Sequence, residues 1–348
     1  MKAETKIKNT AGMFDLLKGL TMITIVVVHT LQQVETMGYK IDVGMLGILN
    51  VALFVISGYG FRAKNLKKTF AQQFQLLVAP YIITSILTCL MHLICHFVVF
   101  GSIRLAIKET IKVFAGLLLG LSDTVQVRGI NIFSCGPMWY IWALFWVWII
   151  ITLIFNYVPE KWRSVVALAV SVISIALFNI TFNPWSIYRG MFFSVFFYSG
   201  YYCKKKKLFT TRWDTKYNLL LCASLVAAVL VSYFAGYYHI LQFILVPLII
   251  IYPVVLVKIF LALNVFSGPV TNKIRTIGRY SLYFLCAHSL EYIAIPWYCI
   301  AERIHSHVGV AIVCVVRLVL DLAICVFVKE FIGLLHRIPL KKGPVVER

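Results

Sequence analysis

The sequence predicts an all-α polytopic membrane protein that crosses the bilayer about ten times, with both termini in the cytoplasm. Three observations lead to this prediction. Of the 348 residues, 61% are hydrophobic and only 13% are charged, whereas a soluble domain carries roughly 25% charged residues. Apolar stretches long enough to span a bilayer recur along the whole chain. Clusters of Lys and Arg lie at the ends of these stretches, as they do in cytoplasmic loops.

Ten apolar segments are candidate spans. In chain order they cover residues 14–31, 44–61, 74–100, 137–157, 164–182, 186–203, 217–237, 239–263, 277–300 and 308–335. A weaker segment, 103–121, carries Arg104, Lys108 and Lys112 at a spacing of four residues. This spacing puts the three cations on one helical face, so the segment is predicted to be an amphipathic helix at the membrane surface.

The chain is predicted to form one membrane domain over residues 1–348. Within it we expect a cytoplasmic N-terminal segment at 1–13, an outer and partly amphipathic segment at 101–136, and a cytoplasmic tail at 336–348. No long polar tract is present that would fold as a separate soluble domain. We therefore expect a multi-pass protein of the cell membrane, with the lipid bilayer as its surroundings.

The positive charge of the chain indicates orientation rather than a nucleic-acid partner. The net charge is +20, from 33 Lys and Arg against 13 Asp and Glu. Basic groups follow the second, sixth, eighth and tenth candidate spans, so an N-terminus inside the cell places all four groups in the cytoplasm. The basic clusters lack interleaved aromatic residues that would stack on bases, and we expect no nucleic-acid binding.

The first candidate span carries Asp15, Lys18 and His29, which are costly in lipid and are therefore functional candidates. Lys18 and His29 are eleven residues apart. They fall within about 20° of one helical face and about 16 Å apart along the axis. A neutral His can take a proton from a hydroxyl, so His29 and Asp15 are candidate catalytic residues. In the alternative interpretation, Asp15 and Lys18 mark the membrane interface and His29 is a satisfied polar residue.

Further titratable residues lie inside later spans. His288 and Glu291 share a helical face, as do Arg317 and Asp321, and each pair is predicted to be a structural intramembrane pair. Arg189 has no obvious partner along its own span, and we expect it to face a polar cavity.

Patterns for metals and nucleotides are weak. His92, Cys95 and His96 share a helical face, but no carboxylate is placed to complete a metal site, so no metal is expected. The chain has no P-loop, no dinucleotide-binding glycine pattern and no Gly-x-Ser-x-Gly elbow. An ATP-driven pump and a serine hydrolase are therefore not expected, nor is a bound cofactor.

Four motifs, taken in order, resemble the acyltransferase-3 family of membrane acyltransferases. They are Asp-Leu-Leu-Lys-Gly at 15–19 with His29, Phe-Val-Ile-Ser-Gly-Tyr at 54–59, Pro-Met-Trp-Tyr-Ile at 137–141, and Ser-Leu-Tyr-Phe-Leu-Cys-Ala-His at 281–288. The resemblance covers most of the chain. It implies transfer of an acyl group, acetyl before others, from acyl-CoA such as acetyl-CoA to a hydroxyl of a cell-surface or lipid-linked glycan.

The resemblance also implies roles for individual residues. His29 would be the general base, with His288 as its rival, and Lys18, Arg62 and Ser57 would lie in the donor-binding region. Further candidate site residues are Trp139, Arg189, Tyr283, His288 and Glu291. The acceptor sugar, the acyl group and the oligomeric state are left open.

The chain departs from the family pattern at two places. Lys18 stands where the family usually has Arg, which keeps the charge but loses the bidentate fork. Basic residues usually precede the Pro-Tyr pair of the third span, whereas the residues before Pro80 here include Gln72, Gln73 and Gln75. The nearby cations that are candidates to bind donor phosphate in their place are Arg62, Lys67 and Lys68.

A transporter or exporter of a lipid-linked or small polar solute is the alternative function. It would use the same intramembrane polar residues as a pathway. The chain has no obvious internal repeat, which disfavours this interpretation. A membrane domain that binds an amino acid is a third alternative.

Overall fold

The structure is a computed structural model that describes residues 12–34, 48–177, 182–210, 223, 241–264, 266–297, 299 and 307–337. Nearly all of the predicted span at 217–237 lies outside the described residues. The same is true of most of the predicted terminal segments at 1–13 and 336–348. The predicted cytoplasmic location of both termini therefore stays a prediction.

The described chain is almost entirely helical. Its helices are α1 Asp15–Val34, α2 Ile48–Tyr59, α3 Leu66–Gln73, α4 Ala79–Phe100, α5 Ile103–Leu119, α6 Trp139–Tyr157, α7 Arg163–Leu177, α8 Ile187–Lys205, α9 Leu241–Leu263, α10 Pro269–Arg279, α11 Ser281–Ala294 and α12 His307–Arg337. A π-helical turn, Phe74–Val78, joins α3 to α4. Short 3-10 turns precede α6, α7 and α8 at Gly136–Met138, Glu160–Trp162 and Pro184–Ser186.

Within the described residues, four helical stretches are long and apolar enough to cross a membrane. They are Asp15–Gln32, Leu66–Phe100, Gly136–Tyr157 and Val308–Phe331. Two shorter apolar helices cover Leu49–Tyr59 and Ile251–Leu263. The predicted class, a helical membrane protein, is confirmed in this coarser form, whereas the count of ten spans stays a prediction.

One short hairpin is an exception to the all-α architecture, which holds for the rest of the described chain. Strand β1, Val125–Val127, pairs antiparallel with β2, Ile130–Ile132, inside the predicted outer segment. Arg128 and Gly129 join the strands, and both have positive φ, 48° and 80°. A two-residue turn with positive φ at both positions matches the twist of paired strands, which explains why a hairpin forms here.

The predicted span at 277–300 is also wrong at both ends. Residue 277 belongs to α10, which ends at Arg279, and Tyr280 separates it from α11. The α10 helix is strongly amphipathic and carries basic residues such as Lys273 and Arg275. Its polar face cannot enter the apolar interior, so the chain turns before α11 begins. At the other end, α11 finishes at Ala294, shortly before Pro296.

The predicted amphipathic segment at 103–121 is confirmed as helix α5. Ser102 caps its N-terminus by accepting a hydrogen bond from the Leu105 backbone N–H, and Gly120 ends it in the left-handed conformation. One face, which includes Val113 and Leu117, is buried. This face lies toward α4, where the Tyr81 hydroxyl donates to the Leu117 carbonyl at 2.5 Å.

Glycines let two helix pairs approach at backbone distance. A Cβ at Gly19 would overlap the Ile274 carbonyl of α10, and a Cβ at Gly278 would overlap the Asp15 carbonyl of α1. The helices α2 and α8 are equally close, because a Cβ at Gly58 of α2 would overlap the Phe197 carbonyl of α8. Small residues at such crossings allow close van der Waals packing in a membrane protein. The α1–α10 crossing holds the N-terminal end of α1 in place.

We predict that Gly278→Val destabilises the protein by about 1–3 kcal/mol, because the added side chain must push α10 away from α1. Gly333→Val is the matched control, since a Cβ at Gly333 meets nothing within 4 Å. The measurement is the temperature at which the detergent-solubilised protein loses its monodisperse size-exclusion peak. Equal transition temperatures for the two variants would contradict the close crossing.

Candidate functional site

The structure brings together the two histidines that the sequence left as rivals. His29 on α1 and His288 on α11 form a hydrogen bond between Nδ1 of His29 and Nε2 of His288 at 2.9 Å. The two ring planes differ by 7° and the ring centroids lie 5.2 Å apart. This geometry is an edge-to-edge contact along the hydrogen bond rather than face-to-face stacking. The two side chains therefore form one hydrogen-bonded pair, in which His288 is fully buried.

Two carboxylates lie on the far side of His288. Its Nδ1 is 3.0 Å from Oδ2 of Asp321 on α12 and 2.9 Å from Oε1 of Glu291 on α11. All three side chains are buried. A neutral imidazole carries one N–H, so an N–H at Nδ1 donates toward the carboxylates and leaves Nε2 as an acceptor. In this tautomer Nδ1–H of His29 donates to His288, and Nε2 of His29 keeps a free lone pair.

Glu291 is also the partner of a buried arginine. Arg317 on α12 donates to Oε1 of Glu291 from Nη2 at 2.8 Å and from Nε at 3.1 Å. Trp297 donates from Nε1 to the other oxygen, Oε2, at 2.5 Å. The predicted pair of His288 and Glu291 is therefore confirmed, whereas the predicted pair of Arg317 and Asp321 is wrong. Arg317 binds Glu291 and Asp321 binds His288, and both of these contacts join α11 to α12, which reasoning along one helix could not show.

Among the described residues of the cluster, Glu291 and Asp321 face one cation, Arg317. With both carboxylates ionised and both histidines neutral, this part of the site has an excess of one negative charge. Oδ1 of Asp321 is buried and has no hydrogen-bond partner among the described residues. In a medium of low dielectric constant, an unbalanced carboxylate strongly favours a positive charge nearby. The arrangement can therefore stabilise an imidazolium that forms when His29 takes up a proton.

His288, Glu291 and Asp321 also offer three potential metal-ligating atoms within 4.8 Å of one another. However, the Oε1 atom of Glu291 already accepts two hydrogen bonds from the Arg317 guanidinium. A metal ion there would lie beside a fixed positive charge. We therefore interpret the cluster as an ion-paired hydrogen-bond chain that ends at His29.

The open side of His29 faces two small cavities, each of about 30 Å³, which is room for about one water molecule. Both are lined by His29, Ile25 and Asn50. The first is also lined by Trp139 and Tyr140, which places the candidate Trp139 next to His29. These cavities leave room for a small group beside the His29 side chain.

Arg189 does have a partner, contrary to the expectation from sequence. Its Nη2 lies 3.0 Å and 2.9 Å from the two carboxylate oxygens of Asp123, and its guanidinium lies 4.7 Å from the centroid of the Trp139 ring. Partial burial acts to raise the pKa of Asp123. The hydrogen bonds from Ser122 and Arg189, together with the Arg189 charge, outweigh burial and hold the pKa below its usual value. Arg189 thus links α8 to the loop before the hairpin.

Asp15 lies at the opposite end of α1 from His29. Fourteen residues separate the two, which is about 21 Å along a helix axis. The Asp15 carboxylate binds Lys18 at 2.7 Å and lies 3.7 Å from Arg279 of α10. The structure therefore does not bring Asp15 to His29, and it places Asp15 among cations.

No described contact joins the remaining candidates, Ser57, Arg62 and Tyr283, directly to the histidine pair. Ser57 donates to the Leu53 carbonyl of its own helix at 2.8 Å. Arg62 is exposed just after α2, and Tyr283 is half-buried against the apolar core. Sequence reasoning did not assign Asp321 to the site, because only the fold shows that α12 packs on α11.

Comparison with known proteins agrees with the resemblance. A family model described as an acyltransferase domain, Acyl_transf_3, matches residues 13–326. The match extends from just before α1 into α12, so it includes every member of the histidine–carboxylate cluster. Neither a search of curated proteins nor a search of solved structures gives a match. Because the family model covers nearly the whole chain, the protein belongs to the acyltransferase-3 family of membrane acyltransferases.

Proposed function

We propose that the protein is an O-acyltransferase of the cell membrane. It would move an acyl group, acetyl before others, from acyl-CoA to a hydroxyl of a cell-surface or lipid-linked glycan. Family membership supports acyl transfer and favours it over the transporter interpretation. The observation that carries the chemistry is the 2.9 Å hydrogen bond from His29 to His288, with Asp321 3.0 Å behind it.

The proposed reaction uses His29 as general base. Nε2 of His29 takes the proton of the acceptor hydroxyl while the hydroxyl oxygen attacks the thioester carbonyl. The carbon–sulfur bond then breaks, and the proton on His29 passes to the departing CoA sulfur. The products are an ester and free CoA, and His29 returns to its neutral form. The buried carboxylate of Asp321 stabilises the transient imidazolium through His288.

The donor would bind at the other end of α1. CoA carries phosphate groups, and Lys18 and Arg279 supply cations around Asp15. Asp15 would then be an orienting residue for Lys18 rather than a catalytic one. The distance of about 16 Å from Lys18 to His29 along the axis suits an extended pantetheine arm. Ser57 and the exposed Arg62 remain donor-binding candidates on and beside α2.

The glutamines before Pro80 stand where the family usually has basic residues, and they carry no positive charge for the donor phosphates. Gln72 accepts a hydrogen bond from Lys64 at 2.6 Å, and Gln73 is buried. Lys67 and Lys68 are exposed in the first turn of α3. We propose these lysines, together with Arg62, as the phosphate-binding cations of this region.

We predict that His29→Ala lowers the rate of acyl transfer by about 10²–10⁴, the typical cost of losing a general base. The assay uses purified protein in lipid, with labelled acetyl-CoA and candidate glycans, and detects ester formation. Equal amounts of protein with a monodisperse size-exclusion peak are compared. More than roughly a tenth of the wild-type rate remaining in this variant would remove His29 from the role of base.

Asp321→Asn is predicted to lower kcat by about 10²–10⁴ while the protein stays folded, because the shape is kept and the charge that stabilises the imidazolium is lost. The donor KM should not change, since Asp321 is remote from the Lys18 end of α1. Glu330→Gln is the matched control on the same helix, at an exposed carboxylate paired with Lys329. If both variants kept full kcat, the buried carboxylate would have no part in the reaction.

A further inference from the structure

A second, much larger cavity lies beside the histidine cluster. Its volume is about 680 Å³, within the range of about 300–1,000 Å³ that is typical of small-molecule sites. It lies between α4, α5, the segment after the β-hairpin and the end of α11. The rim is accessible, since Phe100 and Phe133 are 40% and 36% exposed, whereas His92 and Trp297 in its wall are buried. A ligand could therefore enter from the surface and reach a buried floor.

The lining combines aromatic faces with hydrogen-bonding groups. Phe133 and Trp297 supply flat apolar surfaces, and His92, His96 and Glu109 supply polar atoms. A pyranose ring has the matching chemistry, because one face presents C–H groups and its edge presents hydroxyls that both donate and accept. Nδ1 of His92 contacts the Thr110 hydroxyl and Nδ1 of His96 contacts the His92 carbonyl, so the second ring nitrogen of each histidine is the polar atom left for a ligand. A purely apolar acyl chain would offer these two nitrogens no hydrogen bond.

The charge of the cavity also favours an uncharged ligand. Glu109 is paired with Lys112 of the same helix at 2.7 Å, so its charge is compensated. The Lys112 ammonium also lies 5.9 Å from the centroid of the Phe133 ring. A phosphate headgroup or an amino-acid zwitterion would meet no unpaired charge among the described lining residues. A neutral polyhydroxylated ligand needs no unpaired charge in the wall, so the pairing of Glu109 with Lys112 does not weaken its binding.

The cavity shares an aromatic wall with the histidine cluster. Tyr292 lines the cavity, and its ring centroid lies 5.0 Å from that of His29 and 6.0 Å from that of His288. Trp297 lines the cavity and donates to Glu291. Tyr292 and Trp297 therefore form the wall between the cavity and the histidine cluster.

We propose that this cavity, lined by Phe133, Trp297, Tyr292, His92, His96 and Glu109, is the binding chamber for the acceptor, an uncharged sugar unit. The proposal rests on the proposed acyltransferase function and names where its acceptor binds. The sugar ring would lie against Phe133 and Trp297, with its reacting hydroxyl directed past Tyr292 toward His29.

The test is saturation-transfer NMR on the His29→Ala protein in lipid nanodiscs, with no acyl donor present, so that no ester can form. The probes are the methyl glycosides of glucose, galactose, mannose and N-acetylglucosamine. We expect transfer to the ring protons of at least one glycoside, and a fall of at least fivefold when Phe133→Ala is added. Phe114→Ala is the matched control, since Phe114 is exposed on α5 and does not line the chamber. Phe133→Trp should keep the transfer, because it keeps an aromatic face.

Absence of transfer with every glycoside would overturn the proposal, as would equal transfer in the Phe133→Ala and Phe114→Ala proteins. Kinetics separates this proposal from the function on which it rests. With active protein, Phe133→Ala should raise the KM for the glycan about tenfold and leave the donor KM unchanged. Ester formation with an unchanged glycan KM would overturn the chamber alone. Glycoside binding by a protein that forms no ester would support the chamber and overturn the acyltransferase function.

Discussion

The buried ion pair between Arg317 and Glu291 is the constraint on which the rest of the site depends. Both side chains are fully buried, and an isolated charge in such a position would cost several kcal/mol. The cost is offset by two hydrogen bonds from Arg317 and one from Trp297, which together occupy both oxygens of Glu291. This geometry requires α11 and α12 to pack in one register. In the same register, Asp321 lies within hydrogen-bond distance of His288.

The same packing bears on the proposed role of His29 as general base, although His29 lies on another helix. His288 is held between carboxylates on one side and His29 on the other, so its orientation is fixed from both ends. Orientation and preorganised charge are what a general base needs, because neither must be rearranged during the reaction. The α1 helix then connects two environments, with ion-paired Asp15 and Lys18 at its start and His29 near its end.

Much of this could be predicted from the sequence. Composition predicted the membrane class, which the helices confirm. The spacing of Lys18 and His29 on one face predicted a functional role for α1, and this stays a prediction. Motif order identified the family. The pairing of Arg317 with Glu291 could not be predicted, because spacing along α12 equally suggests Asp321, and only contact between helices decides between them. The hairpin at 125–132 was missed because two three-residue strands carry little periodicity. The partner of Arg189 was missed because Asp123 lies in a loop, 66 residues away.

The central claim is that His29, His288 and Asp321 work as one proton-accepting unit. A double-mutant cycle on kcat, with His29→Ala, Asp321→Asn and the combined variant, tests it most directly. Residues that act as a unit are strongly non-additive. We therefore predict that the combined variant reacts at nearly the rate of His29→Ala alone, within about threefold. A rate reduced by the product of the two single losses would show that Asp321 acts independently of His29, and would contradict the account.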